Sequence, residues 1–580
     1  MQPRATAGRR CAHAPTGEWG EALAIDIKNF SGIAPALTPW KLPLGMAQVS
    51  NNVNPDSRTV KPWYDAVIVS SGYTASGTTT IFRFGRNLIS DTSYWFQWTG
   101  DVDVVKGPIV GDVTERTFYT GNGVPKWTNS TLALTGGPPY PQSWRTLGVP
   151  RPVTAPVMSV TGTISSNDYS VVGYAYTNVT TYGEESAPSA VCTGQKVYTG
   201  QTATLTGFDA APTGTSSTVA RRLYRSVQNG ADANLYFVKE FTSVATSCVD
   251  DVGTNIGGVI QTMTWDVPST TMFGLTAMAN GIMIGFDGND VCVSAQYAPY
   301  AWPKQWKLST DWPIVGGRSL GSGCLVLTQG NPYMLTGTTP DALSLSKIDS
   351  PEACVSKRSI ANITSPMPSM AGGDVMVGTV YYASQNGICA CDAGGAVRVV
   401  TNGILNRADW QALNPTSITG YAYNGKYFGF YNTGTVSGGF CFDPRDRSGT
   451  ALVMFPFYAT GGFMDINQDH LHLQVGTNIL LWNSSSTPLT ATWRSGVIET
   501  KPKTQRMACV LARAYSGAVV FNLYGDGLLI WSETVLSNRP FTLPAADKCF
   551  QWEIEIITTT EVYEVIVAHS AEDMKAAGES

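Results

Sequence analysis

His470-Leu471-His472 places two imidazoles on one face of an apparent strand, because alternate strand residues share a face, and two imidazoles are how a metal site could begin. A third ligand is wanting. Asp469 is adjacent and points to the opposite face, while His13 and His569 stand far off in sequence. Cys389 and Cys391 also share a strand face, but no second pair stands at ligand spacing. The 11 scattered cysteines read instead as small core residues of a reducing compartment. Neither pair is expected to hold a metal.

Nucleophilic and phosphate-binding signatures are missing: the chain has no G-x-S-x-G, H-E-x-x-H, G-x-x-x-x-G-K-[ST] or strand-linked G-x-G-x-x-G. Asp287-Gly288-Asn289-Asp290 and Asp443-Pro444-Arg445-Asp446 lack EF-hand spacing and read as turns. Two glycosidase carboxylates leave no sequence pattern, so sugar chemistry stays open. Trp302, Trp306 and Trp312 could stack on sugars, although core and interface anchoring is the expectation. Arg221, Arg222 and Arg225 are expected to form a solvated or subunit-contacting face. No catalytic, cofactor-binding or metal residue is assigned, and the chain reads as a non-enzyme.

The elements that would position these residues are strands. Asn424-Gly425, inside Tyr421–Tyr431, suits a two-residue hairpin turn, since both residues tolerate positive φ. Similar hairpins surround Asn280-Gly281, Gln329-Gly330-Asn331 and Asn386-Gly387, and another spans Met464–Trp482. They begin near 275, 320, 377, 419 and 463, a spacing of roughly 40–60 residues that suits four-stranded propeller blades. Thr78–Phe84, Ser93–Trp98, Val102–Gly107 and Arg116–Gly121 supply one or two blades upstream.

The expected fold is all-β: a β-propeller of about six to seven blades, an inserted fibronectin III-like β-sandwich and a C-terminal antiparallel β unit. The expected boundaries are 1–24 for a flexible arm, 25–150 for an extended anchor segment plus first propeller strands, and 151–267 for the sandwich. The main blades take 268–488 and the C-terminal unit 489–580. In the anchor, Phe30, Trp40, Leu42 and Trp63 are the expected pins, and its prolines argue against interior strands. Glu572–Ala577 reads as one helical turn or a frayed end.

Composition narrows the class. Only 14% of residues are charged, against roughly 25% in ordinary soluble domains, which suggests surface covered by neighbouring subunits. The net charge of −5 argues against a protein that coats nucleic acid, without excluding a passage through which DNA slides. No apolar run approaches 18 residues, so no membrane span is expected, and the arm containing Arg4, Arg9 and Arg10 does not read as a signal peptide.

Three stretches, in this order, carry a family resemblance. The first is Phe30–Trp63, with F-x-G-I-x-P at its start and P-W at its end. The second runs from Val102–Pro108 through Glu115–Gly121 to Trp144–Pro150. The third contains Tyr297–Pro303 and Ala353–Ile360. Together they resemble the tail nozzle, or hub (tail tubular), proteins of short-tailed double-stranded DNA bacteriophages. The resemblance implies a structural virion protein, made in the bacterial cytoplasm and built into the phage tail as a homohexameric ring below the portal and adaptor. Such a ring retains the genome, conducts DNA at ejection into the host envelope, and mounts fibres or spikes. It brings no catalytic residues or cofactors. Two alternatives remain: a carbohydrate-binding or glycan-depolymerising tail spike or adhesin on a propeller, and a receptor adhesin working through the sandwich.

Overall fold

Short apolar runs between Gly- and Asn-rich turns cannot bury both faces alone, so they pair into small sheets that must stack. In the computed structural model they do so. It describes residues 24–71, 77–85, 94–109, 111–214, 218–227, 234–368, 374–445, 452–515, 518–544 and 548–578. The proposed arm falls outside these except for Ala24. The chain forms two units, one from the described parts of Met1–Asp65, Thr450–Met454 and Ser485–Ser580, the other from those of Ala66–Gly449 and Phe455–Ser484.

The larger unit contains seven groups of antiparallel strands whose first strands follow one another as neighbours. These strands are Thr80–Phe84, Asp103–Lys106, Phe273–Ala277, Ile314–Leu320, Ala361–Pro368, Thr419–Tyr423 and Gly461–Asp465, numbered here as blades 1 to 7. Direct neighbour contacts run from blade 2 through blade 7 and on to blade 1. Phe82, Phe84 and Phe96 of blade 1 pack with Val102 and Tyr119 beside and within blade 2, completing the circuit. This is the β-propeller. Among the described residues blade 1 has two strands, and blade 7 takes its outermost strand, Val67–Ser70, from early in the chain.

The blades adhere through apolar faces. Ile284, Phe286 and Val291 of blade 3 meet Val326, Tyr333 and Leu335 of blade 4 in one buried cluster. Burial of each such side chain contributes about 1.5–3 kcal/mol. Asn424 and Gly425 have φ of 49° and 69°, so the blade 6 hairpin closes through positive φ at both positions, as their residue types require. The hairpins near 320 and 377 join second to third strands, whereas those near 275, 419 and 463 begin with first strands.

Between blades 2 and 3 lies the sandwich. Val157–Gly162, Gln201–Thr206 and Ser247–Asp250 make one sheet; Gln195–Tyr198, Tyr169–Thr180, Thr218–Val227 and Leu235–Thr242 make the other. Counted along the chain, the orders are first–fourth–seventh and third–second–fifth–sixth. The Glu184–Ser189 loop after the long Tyr-rich strand is buried, not solvated. Arg116 of blade 2 pairs with Glu184 at 2.5 Å and caps Tyr182 at 4.2 Å, which fixes the root of the sandwich.

The smaller unit corrects the reading of the anchor. Ala47–Asn51 is an interior strand, antiparallel to Ala491–Ser495, with Asn51 meeting Met454 in parallel on its other side. The prolines flank this strand without entering it, so it keeps its ladder donors. Ala24–Ile27 pairs with Val562–Ala568, so the unit expected at 489–580 is built from both early and late chain. Phe30 lies edge-on to Trp493 at 4.8 Å and Trp63 donates to the Val53 carbonyl, but Trp40 is 56% exposed and pins nothing. Ala571–Gly578 is a helix docked by buried Met574.

Where blade 7 meets blade 1, Arg83 and Asp465 pair at 2.6 Å with both side chains buried. Removing one charge strands the other in low dielectric. Arg83→Met is expected to lower propeller stability by about 3–5 kcal/mol in urea unfolding, and Arg83→Met with Asp465→Leu to recover most of that loss.

Candidate functional site

Ala353–Ile360 is the hub of the propeller. Its Lys357–Ser359 portion is a single 3-10 turn entering blade 5, short enough that successive side chains radiate in different directions. Lys357 reaches Asp103 at 2.7 Å and Asp101 at 3.1 Å, at the start of blade 2. Asp103 also accepts the Gly274 backbone N–H of blade 3. Arg358 donates to the Thr79 carbonyl just before blade 1 and, at 2.9 Å, to the Thr460 carbonyl just before blade 7. Ser356 donates its hydroxyl to the Ile418 carbonyl beside blade 6, and Tyr427 of blade 6 donates to the Ser359 carbonyl. The Cys354 N–H reaches the Thr328 carbonyl of blade 4. One eight-residue stretch therefore ties the sheets together at their inner ends.

Space for the turn comes from glycines. A Cβ at Gly316 would lie 2.8 Å from Lys357 Cγ, and one at Gly420 would lie 2.6 Å from the Ser359 carbonyl. Both close approaches need the missing side chain.

The charges are partly shielded, with Lys357 18% and Asp103 22% exposed. Burial pushes the Asp103 carboxyl above its ordinary value against the pull of Lys357. Burial also disfavours the Lys357 ammonium, but Asp103 and Asp101 hold it above its ordinary value. Three carboxylates near the inner strands thus have cationic partners: Asp101 and Asp103 in Lys357, Asp465 in Arg83. The arrangement binds the propeller to itself.

The residues singled out in the sequence lie elsewhere. His470 and His472 do share a face, with ring centroids 6.2 Å apart, but His472 is buried against Trp95 at 4.8 Å. Burial, and then His470, lowers His472 to about 4. Among the described residues no three His, Cys, Asp or Glu side chains gather at metal-holding distance. Cys389 and Cys391 lie in the blade 4–blade 5 core with Cys354, and burial pushes all three thiols up to about 12. Trp302 is buried and Trp306 half-buried against core, whereas Trp312 stays half-exposed. Asp287 and Asp290 share Lys307, and Asp443 pairs with Arg445; Asp446 lies outside the described residues.

The arginine cluster has partners within the sandwich. Arg221 is buried, Arg222 pairs with Glu185 and Glu240, and Arg225 pairs with Asp250. Glu185 and Glu240 take the charge of Arg222, which stays partly exposed, Asp250 takes that of Arg225, and Arg221 donates to the Asp209 and Ala245 carbonyls. The hub itself was visible only as one of the motifs in the family resemblance; nothing in the local pattern of Ser356–Ser359 announces contacts hundreds of residues away.

No protein-family model and no curated protein matches the chain. Solved structures do. An exo-β-1,3-galactanase from Phanerochaete chrysosporium with galactose is 9% identical over 51% of this chain and 95% of its own, with a TM-score of 0.21. Dihydro-heme d1 dehydrogenase NirN is 8% identical over 65% and 74%, with a TM-score of 0.23. The extracellular domain of a one-component system from B. thetaiotaomicron is 9% identical over 87% and 98%, with a TM-score of 0.17. Likenesses this distant say nothing about chemistry.

Lys357→Met should leave Asp103 without its cation and cost about 3 kcal/mol or more of propeller stability at neutral pH, read by chemical unfolding. His472 predicts a separate acid effect. Its folded value near 4 lies below its ordinary 6.5, so its contribution is complete above pH 6.5 and is lost as pH falls toward 4. The loss is about 3 kcal/mol, and His472→Phe should flatten that part of the stability–pH curve.

Proposed function

We propose that this chain is a structural subunit of a phage tail, forming the ring-shaped nozzle at its distal end. In this reading about six copies surround the path of the DNA, retain the genome until adsorption and conduct it into the host. Adaptor proteins seat the ring and fibres or spikes mount on it. The propeller carries no catalysis; its inner carboxylates are neutralised by Lys357 and Arg83 and act as joints.

The observation that carries the reading is an unguarded edge. Val67–Ser70 is the outermost strand of blade 7 and, among the described residues, pairs on one side only, to Asn478–Leu481. Val67, Ile68 and Val69 are 44%, 55% and 43% exposed. A free edge with consecutive exposed apolar residues and no charge is a template for association, which soluble monomers ordinarily blunt with lysine or proline. A permanent neighbour covers such an edge. Sparse overall charge fits the same reading, since large obligate interfaces are depleted in charge. The three stretches of nozzle resemblance give the ring its identity, and one of them contains the hub turn.

The reading is tested by light scattering and electron microscopy of the full chain, alone and with its tail adaptor. A ring with a channel wide enough for duplex DNA is expected, and Ile68→Lys should abolish the ring while leaving the subunit's melting temperature within a few degrees. A compact trimer without a channel, or a monomer even on the adaptor, would overturn it.

A further inference from the structure

In the smaller unit Val60 exchanges both backbone hydrogen bonds with Val562, and Ala512 pairs with Val562 from the other side. All three are buried. One step along the ladder, Lys61, Glu561 and Arg513 stand in a second row, and alternation turns their side chains to the opposite face. Their burial agrees: Lys61 and Glu561 are half-buried and Arg513 is exposed. The Arg513 N–H donates to the Glu561 carbonyl at 2.8 Å, which fixes the row. A cleft of about 300 Å³ opens beside it, lined also by Thr559 and Thr560 from the turn before Glu561.

The carboxylate between the two cations is turned to other partners. Glu561 Oε1 accepts the Thr59 hydroxyl at 2.8 Å and the Ser57 hydroxyl at 3.4 Å. Among the described residues neither Lys61 nor Arg513 has an ion-pair partner, and the hydroxyls of Thr559 and Thr560 take no internal hydrogen bond. The cleft therefore offers an ammonium, a guanidinium and two hydroxyls against a single carboxylate, with net positive charge.

We propose that this cleft binds a dianionic phosphate group, borne by a small phosphomonoester or free in solution. Two charges on the ligand draw on the net positive charge more strongly than the single charge of a carboxylate. Three terminal oxygens match the guanidinium fork, the ammonium and the threonine hydroxyls, whereas the two oxygens of a carboxylate leave donors unmet. The volume stands at the lower end of the range for small-ligand sites and leaves room for an ester body. The site goes beyond the ring-forming role and stands or falls separately from it.

The test is calorimetric titration of the full chain, at constant ionic strength, with inorganic phosphate, glycerol 3-phosphate and glucose 6-phosphate, using acetate and glucose as controls. At least one phosphate probe is expected to bind about tenfold more tightly than acetate, and an ester should weaken as pH falls through about 6, where its dianion takes up a proton. Arg513→Ala should weaken binding about tenfold. Glu561→Gln should tighten it about threefold, because the opposing charge goes while the amide oxygen keeps the Thr59 bond. Unchanged melting of both variants would exclude misfolding as the cause. Tighter binding of an ester than of inorganic phosphate assigns the ester, and the reverse assigns the free ion; either upholds the proposal. Absence of binding by every phosphate probe, acetate as tight as phosphate, binding unmoved in Arg513→Ala, or binding weakened in Glu561→Gln would each overturn it. Ring formation is read separately, so a failure here leaves the nozzle reading intact and the converse also holds.

Discussion

A propeller is held together by contacts between neighbouring blades, yet here one ammonium and one guanidinium act across its inner ends. Lys357 and Arg358 leave the chain side by side and end on blades that are far apart in sequence. In water such pairs contribute little, but in a half-dry setting with few competing charges each is strong and each partner depends on the other. The glycines at 316 and 420, the serines at 356 and 359 and the buried Tyr427 are consequences of this one placement. They make room for the turn or satisfy its backbone.

The same constraint bears on chemistry. Asp101, Asp103 and Asp465 are each held by a fixed cation, Lys357 or Arg83.

Much of the fold was legible locally, because hairpin turns and strand alternation are short-range signals. Asn424-Gly425 announced its hairpin, and the spacing of apolar runs announced the blades. Strand pairing across the chain was not legible. Nothing in Val67–Ser70 says that it will complete a blade begun at Gly461, and nothing in Ala47–Asn51 says that it will be enclosed by strands from the other end. The arginines at 221, 222 and 225 misled for the same reason. Glu185 and Glu240, which hold Arg222, Asp250, which holds Arg225, and the Asp209 and Ala245 carbonyls, which hold Arg221, are close only after the sandwich forms. Trp40 misled differently, since an aromatic residue in a proline-rich stretch looks like an anchor whether or not a pocket exists for it.

Both units are finished by joining early chain to late chain: Val67–Ser70 onto Asn478–Leu481, and Ala24–Ile27 onto Val562–Ala568. Loop closure over such separations is slow relative to local hairpin formation. During synthesis the early strands must therefore wait, unpaired, until the ribosome has delivered partners several hundred residues downstream. The blades between them can form in the meantime, but neither unit can latch before Asn478–Leu481 and Val562–Ala568 have been made. The exposed edge of Val67–Ser70 thus takes its final shape only once its one partner strand has been delivered.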